Sequence, residues 1–229
     1  MTREAFLKRV KAAAEAGRQH RVHLRKDLPA RVGYVGGGDD LIARMASEVQ
    51  LAGGDPRVVD SLAEARTVVD GLLETYRVRS AVCWEHEVLD RLGLDMLFQG
   101  RNIERLSFRG LSVLPQEEQR VKTLAAEVGI SSTSWGIAET GTLAVCSKPG
   151  QERQASLVPP VHIAIITQSQ ILPDLFDLFD RLVAAGVERM PSNLTLITGP
   201  SKTGDLELRL TTGVHGPGKW HVIISRSDD

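Results

Sequence analysis

The chain has 229 residues, 42% hydrophobic and 25% charged, which are the proportions of an ordinary soluble globular protein. Its formal net charge of −1 gives no electrostatic case for a nucleic-acid partner. Apolar runs such as 161–166 stop far short of the ~20 residues that cross a bilayer, and the charged N-terminus lacks the apolar stretch of a signal peptide, so we expect a cytoplasmic protein without a membrane span.

The first half of the chain alternates between helical and strand patterns. Helices are predicted over 2–16, from Asp39 or Asp40 to about Leu51, and after Ser61, where Glu64 completes a capping pattern. Further elements follow in order: a strand at 57–59, a strand at 81–84, a helix at 85–92 and a helix at 116–128. We assign residues 1–55 to a helical N-terminal extension and residues 56–229 to one α/β domain.

The C-terminal part contains three β-rich runs, 161–167, 194–198 and 220–225, that are apolar almost throughout. Such runs are typical of strands covered on both faces. Helical patterns at about 171–185 and near Ser201 separate them. The alternation predicts an α/β fold with a largely parallel sheet between helix layers, and such sheets bind ligands in the loops at the carboxyl ends of their strands.

The first candidate loop contains Glu139, Thr140, Gly141 and Thr142. A single carboxylate in a tight turn suits general acid/base work or nucleophilic attack, and Gly141 permits a left-handed backbone or the close approach of a ligand. The alternative is a surface turn in which Glu139 accepts hydrogen bonds from neighbouring amides.

The second candidate loop follows the predicted strand at 194–198. A Gly-containing loop that leads into a helix can bind phosphate oxygens, with hydroxyls from Ser201 and Thr203. It is not a Walker A loop, because Asp205 and Leu206 stand where Lys and Ser/Thr are required. Ser201 or Thr203 could instead be only a helix cap. A metal near Asp205 and Glu207 is left open.

The third candidate loop holds His215, Gly216 and Pro217, which would fix an imidazole in a rigid turn where it can shuttle protons near neutral pH. A plain polar turn residue is the alternative. Two further residues are candidates for substrate binding. His162 opens an apolar strand and could either reach Glu139 or tuck into the sheet edge; Arg153 could pair with Glu139, bind an acidic substrate or simply be exposed.

The two cysteines, Cys83 and Cys146, stand far apart in the sequence. An iron–sulfur cluster or a structural zinc site usually needs three or four ligands, at least two of them close together. We therefore expect no cofactor and no redox metal centre in this chain.

Four ordered segments, 136–142, 157–164, 198–207 and 213–217, resemble the lactate utilisation protein C family, whose domain is called LUD. The resemblance covers about residues 60–229. It implies a three-layer α/β/α fold like that of CoA transferases and sugar-phosphate isomerases. It also implies partnership with two iron–sulfur proteins that together support oxidation of L-lactate to pyruvate, this chain being the component without a cluster. In related CoA transferases a Glu-x-Gly turn forms the acyl intermediate, and Glu139 with Gly141 matches that pattern.

The leading hypothesis is a cytoplasmic component of a lactate-oxidising system. Glu139 and His215 would share one cleft, in which Thr140, Ser201 and Thr203 donate hydrogen bonds to a small carboxylate or phosphate. Two alternatives stay open at this point: a stand-alone enzyme that uses Glu139 on an acyl-CoA or sugar phosphate, and a metabolite-binding module without catalysis.

Overall fold

The computed structural model describes residues 2–18, 36–204 and 210–229. The chain divides into two units, residues 1–34 and 35–229. In the first unit the structure describes helix α1 (Arg3–Gly17), which the hydroxyl of Thr2 caps by accepting a hydrogen bond from the Ala5 amide. The helix predicted over 2–16 is therefore present, with all its residues exposed.

In the second unit the structure describes eight α-helices and twelve strands. The helices are α2 (Leu41–Leu51), α3 (Leu62–Thr75), α4 (Glu87–Arg91), α5 (Leu94–Arg101), α6 (Phe108–Ser112), α7 (Gln116–Ala125), α8 (Gln154–Leu157) and α9 (Leu175–Ala185). The strands are β1 (Asp55–Val59), β2 (Ser80–Cys83), β3 (Glu104–Leu106), β4 (Val128–Ser131), β5 (Trp135–Ile137), β6 (Thr142–Cys146), β7 (Val161–Thr167), β8 (Ile171–Leu172), β9 (Leu194–Ile197), β10 (Lys202–Gly204), β11 (Leu210–Thr212) and β12 (Lys219–Ser225).

Six strands form the main sheet in the order β1-β12-β7-β4-β2-β3, and every neighbouring pair is parallel. Helices flank this sheet, so the predicted α/β fold with a largely parallel sheet is confirmed. The predicted caps are also present: Asp40 accepts from the Ala43 amide at the start of α2, and Ser61 accepts from the Glu64 amide at the start of α3.

Two expectations about the C-terminal half are wrong. The run that begins at Leu194 is not a strand of the parallel sheet covered on both faces. It is β9, the edge of a second sheet ordered β8-β5-β6-β9, and it pairs antiparallel with β6. The segment after Ser201 does not begin a helix, because Lys202–Gly204 is β10 and pairs antiparallel with β11.

The two faces of the main sheet have different neighbours. Side chains alternate along a strand, so His162 and Ile166 of β7 share one face. Gly136 of β5 packs against Ile166 and against Met45 of α2 there, so the second sheet and α2 cover this face. On the opposite face His221 of β12 contacts Tyr76, which follows α3.

Gly129 brings helix α8 onto the same face as His162. Gly129 and His162 are register partners in β4 and β7. A β-carbon at position 129 would lie 1.6 Å from the carbonyl oxygen of Ala155, so only glycine allows α8 to pack this closely on β4. Helix α2 also belongs to this core, to which it contributes Ile42, Met45 and Val49. None of the described helices is long and apolar enough to span a membrane.

Candidate functional site

A cavity of about 230 Å³ lies beside the amino ends of β7 and β12. We call it the His162 pocket; its lining includes Leu157, His162, Thr198, Ser201, His215 and Trp220. His162 and Trp220 are each the second residue of their strand. The pocket therefore does not lie at the carboxyl ends of the parallel strands, where ligand-binding loops were predicted from the sequence.

Hydrogen bonds join the three candidate loops around this pocket. The hydroxyl of Thr142 lies 2.7 Å from that of Thr140 and 2.7 Å from that of Thr198, which connects the first loop to the second. The Ser201 amide donates to the Pro217 carbonyl at 2.9 Å, and the Gly213 amide donates to the Ser201 carbonyl at 3.0 Å. The second and third loops are thus fixed to each other by their backbones.

His162 is completely buried in the floor of the pocket. Its Nε2 shares a hydrogen bond of 2.8 Å with the hydroxyl of Ser131, whereas its Nδ1 has no partner among the residues that the structure describes. Burial, and secondarily the charge of His221, lowers the pKa of His162 to about 3. The imidazole is therefore neutral at physiological pH. Of the two readings from the sequence, His162 is tucked into the sheet and borders the pocket, but it does not bond to Glu139.

Trp220 is a residue that sequence reasoning missed. It is the register partner of His162 and is only 2% exposed, and its Nε1 also has no hydrogen-bond partner in the described part of the chain. A buried indole N–H is usually paired, as in Trp84, whose Nε1 donates to the Glu152 carbonyl at 2.9 Å. The only sequence signal was the position of Trp220 directly after the loop that holds His215.

The second and third loops supply the other walls of the pocket. Ser201 is half-buried and His215 is exposed, and both belong to the lining. Gly216 packs against Ser201: a β-carbon at position 216 would lie 3.4 Å from the Ser201 β-carbon. The sequence-predicted residues His162, Ser201, His215 and Gly216 are therefore brought together.

Glu139 lies in a short 3₁₀ turn, Ala138–Thr140, between β5 and β6. Its carboxylate accepts a hydrogen bond from the Gly36 amide at 3.0 Å, and its own amide donates to the Pro173 carbonyl at 3.0 Å. Arg44 of α2 donates to the Glu139 carbonyl at 3.4 Å. The residues that line the His162 pocket do not include Glu139. Glu139 is linked to the pocket through the next residue, Thr140, whose hydroxyl begins the hydrogen-bonded series Thr140, Thr142 and Thr198.

Gly141 is required by packing between this turn and α2. Its φ is +60°, and a β-carbon there would lie 2.5 Å from the Val49 amide nitrogen. The left-handed backbone expected from the sequence is present. Helix α2 occupies the space that a side chain at position 141 would need. Gly141 therefore allows the Glu139 turn to pack directly against that helix.

Arg153 and Thr203 lie elsewhere. Arg153 is exposed and borders a different cavity of about 480 Å³, which we call the Arg153 pocket; its lining includes Phe108, Ser147, Lys148, Glu152, Arg153 and Leu157. No ion pair joins Arg153 to Glu139 in the described structure. Thr203 is a half-buried residue of β10 that pairs with Thr211, so it does not cap a helix. Asp205 and Glu207, the residues considered for a metal, lie outside the described residues.

Within the ranges 2–18, 36–204 and 210–229 no cluster of three or more His, Cys, Asp or Glu residues could hold a metal ion. The two cysteines are free thiols, Cys83 buried and Cys146 partly exposed. Burial raises the pKa of the Cys83 thiol to about 12, which makes it a poor nucleophile.

Comparisons with known proteins agree with the resemblance seen in the sequence. The family model described as "LUD domain" matches residues 42–225. A lactate utilization protein C from Halalkalibacterium halodurans is 34% identical over 169 residues, which cover 72% of this chain and 70% of that protein. The protein of the same name from Shouchella clausii is 28% identical over 187 residues, which cover 81% of this chain and 79% of that protein.

The fold also matches a solved structure, the crystal structure of a DUF162 family protein from Deinococcus radiodurans. The TM-score is 0.58 and the sequence identity is 20%, over 81% of this chain and 96% of that chain. At this level of identity the similarity supports the arrangement of the strands and helices and nothing about a ligand.

Proposed function

Because this chain belongs to the LUD domain family, we propose that it acts in lactate utilisation, the role carried in the names of its relatives. In this proposal the His162 pocket binds lactate or its oxidation product, pyruvate. The chain is the component without an iron–sulfur cluster in a cytoplasmic system that oxidises L-lactate to pyruvate, and iron–sulfur partner proteins accept the electrons.

The observation that carries the proposal is a pair of buried ring nitrogens without a described hydrogen-bond partner, Nδ1 of His162 and Nε1 of Trp220, on two residues that line the pocket. An unpaired buried polar group costs about 1–3 kcal/mol, which a ligand that bonds to it can recover. The indole N–H can only donate, whereas the neutral imidazole offers one donor and one acceptor. A 2-hydroxy acid has acceptor oxygens for the indole and a hydroxyl that can both donate and accept.

The size of the pocket supports a small ligand. Its volume of about 230 Å³ lies below the roughly 300–1,000 Å³ of pockets that hold drug-sized molecules. A three-carbon acid needs only part of such a space, and the remainder can hold ordered water that completes its hydrogen bonds.

Oxidation of lactate to pyruvate removes two electrons and two protons. We assign the first proton transfer to His215, because it borders the pocket and a histidine side chain can accept a proton near neutral pH. Glu139 is proposed to accept the second proton through the hydroxyls of Thr198, Thr142 and Thr140, each of which can donate and accept. The two electrons would be accepted by the iron–sulfur clusters of the partner proteins.

The test is lactate-dependent dye reduction in extracts of cells that lack this chain, with purified protein added back. Wild-type protein is expected to restore reduction, and His215→Ala and Glu139→Gln are expected to restore much less of it. Val214→Ala is the matched control for His215→Ala, since Val214 is an exposed neighbour in the same turn, and it should restore full reduction.

Two results would contradict the proposal. Extracts that reduce the dye equally well without the chain would mean that it takes no part in the oxidation; if the purified protein still bound lactate, it would be a metabolite-binding module. A hydroxamate on Glu139 after incubation with an acyl-CoA and hydroxylamine would instead identify a stand-alone acyl-transfer enzyme.

A further inference from the structure

The Arg153 pocket is a second, larger cavity, about 480 Å³ in volume, on the other side of helix α8 from Gly129 of the main sheet. It shares one lining residue, Leu157, with the His162 pocket. Its volume lies within the roughly 300–1,000 Å³ that is usual for pockets that hold drug-sized organic molecules. The role proposed above makes no use of it.

Two basic side chains border this pocket, and neither is paired with an acidic side chain in the described part of the chain. Lys148 and Arg153 are both exposed, and neither forms an ion pair with any residue that the structure describes. Glu152 is the acidic residue of the lining, and its Oε1 accepts a hydrogen bond from the Gly150 amide at 2.8 Å. Burial raises the pKa of Glu152, and the charge of Glu85 acts in the same direction. With two cations against one carboxylate, the lining of the pocket carries a net positive charge in a chain whose formal net charge is −1.

The wall beside these cations is apolar and open to solvent. Phe108 is 42% exposed and Leu157 is 40% exposed, and both line the pocket with the half-buried Val158. The hydroxyl of Ser147, also in the lining, is buried without a hydrogen-bond partner in the described ranges. An exposed apolar surface next to unpaired cations and an unpaired hydroxyl is suited to a ligand with both an apolar part and an acidic group.

We propose that the Arg153 pocket binds an organic anion with an apolar body. Arg153 and Lys148 bind the acidic group, Arg153 through the two parallel N–H donors that suit a carboxylate or a phosphate. Phe108 and Leu157 contact the apolar body. Ser147 donates its hydroxyl hydrogen to an oxygen of the ligand. Apart from Leu157 its residues do not line the proposed lactate site, and the proposal does not depend on that site.

The test is isothermal titration calorimetry of the whole chain with four probes: octanoate, octyl phosphate, 1-octanol and inorganic phosphate. Octanoate, octyl phosphate or both are expected to bind at least about tenfold more tightly than octanol, which lacks the charge, and than inorganic phosphate, which lacks the apolar body. Whichever acid binds more tightly identifies the acidic group of the natural ligand.

Matched variants assign the binding to this pocket. Arg153→Gln and Lys148→Gln are each expected to raise the dissociation constant about tenfold. Arg181→Gln, which removes an exposed cation of α9 outside the pocket, should leave it unchanged. Since all three side chains are exposed, the variants should fold, and their melting temperatures verify this.

Three outcomes would overturn the proposal. The first is no measurable heat with either octyl anion up to about 10 mM, a concentration at which even weak millimolar binding is detected. The second is octanol binding as tightly as octanoate. The third is an equal effect of Arg153→Gln and Arg181→Gln, which would mean that the anion binds the surface without a defined site.

Discussion

Trp220 and His162 are register partners in neighbouring parallel strands, and each has a buried ring nitrogen without a hydrogen-bond partner among the described residues. Two such groups side by side are uncommon in a folded protein, since nearly all buried polar atoms are paired. Both border the same small cavity. The unpaired nitrogens lower the free energy of unfolding, and a ligand that formed hydrogen bonds with them would raise it again.

Trp220→Phe tests this interpretation, because it removes the unpaired N–H and keeps an aromatic ring. Trp84→Phe is the matched control: it shortens another buried indole, but one whose N–H is paired with the Glu152 carbonyl. Both variants lose similar packing, so we expect Trp84→Phe to lower the free energy of unfolding by about 1–2 kcal/mol more than Trp220→Phe. Urea unfolding measures the difference.

The same two variants separate stability from binding. We expect Trp220→Phe to raise the dissociation constant for lactate about tenfold, since one hydrogen bond is worth roughly 1.4 kcal/mol. Trp84→Phe should leave lactate binding unchanged. Equal destabilisation by the two variants, with equal lactate affinities, would remove Trp220 from the site.

The low pKa of His162 predicts a loss of stability in mild acid. Because the pKa is about 3 in the folded state and 6.5 in the unfolded state, the unfolded chain binds the proton more tightly. The stability contributed by the neutral ring is complete above pH 6.5 and is lost progressively as the pH falls towards 3. By about pH 5 the loss from this group is ~2 kcal/mol.

His162→Gln removes this titration and leaves the other histidines in place. Urea unfolding at several pH values between about 7.5 and 5 should therefore show a steeper decline in the wild type than in the variant. His86 and His221, whose pKa values burial also lowers, affect both proteins alike. Parallel curves for the two proteins would mean that His162 does not titrate in this way.

Gly129→Ala is expected to be strongly destabilising. The new methyl group would lie 1.6 Å from the Ala155 carbonyl oxygen, so helix α8 must move away from β4, at a cost of about 3 kcal/mol or more. Gly71→Ala in α3 is the control, since a β-carbon there meets no atom within 4 Å; it should stabilise the protein by roughly 0.5–1 kcal/mol. Similar unfolding free energies for the two variants would contradict the packing described for α8.

Thr142→Val breaks the hydroxyl chain at its centre. Thr142 is buried and bonds to both Thr140 and Thr198, so we expect a loss of about 1–2 kcal/mol in the free energy of unfolding. Thr142→Val keeps the shape of the side chain, so its loss reports the hydroxyl, whereas Thr142→Ser keeps the hydroxyl and loses only a buried methyl group, worth about 0.8 kcal/mol. If Thr142→Val unfolds at the same urea concentration as the wild type, the hydroxyl chain contributes nothing measurable.

Much of the main sheet could be predicted from the sequence. The runs that became β7 and β12 are apolar almost throughout because both of their faces are covered, and such runs are readily recognised. Asp40 and Ser61 are good helix caps and marked the starts of α2 and α3. These signals are local, so the sequence contains them in full.

The second sheet could not be predicted in the same way. The run at Leu194–Ile197 has the composition of a covered strand, but as an edge strand it leaves Leu196 43% exposed. Ser201 after Gly199-Pro200 has the pattern of a helix start, yet the segment that follows pairs with Leu210–Thr212. In both cases pairing with another strand decided the structure, and the local pattern of the segment contains no information about that partner.

The candidate site was predicted in part for the same reason. His162, Ser201, His215 and Gly216 were identified by residue type and turn context, and they meet in one pocket. Trp220 was missed because its importance depends on its register with His162. Glu139 was identified as one carboxylate in a tight turn, but its carboxylate bonds to Gly36, an amide far away in the sequence.

The indole of Trp220 also reaches beyond the pocket. A β-carbon at Gly54 would lie 2.5 Å from a ring carbon of Trp220, so the turn between α2 and β1 rests directly on the indole. The same end of α2 also contacts the turn of Glu139, since a β-carbon at Gly141 would lie 2.5 Å from the Val49 amide nitrogen. The C-terminal end of α2 therefore packs against both the turn that rests on Trp220 and the turn of Glu139, so one helix end fixes the pocket wall and the candidate carboxylate relative to each other.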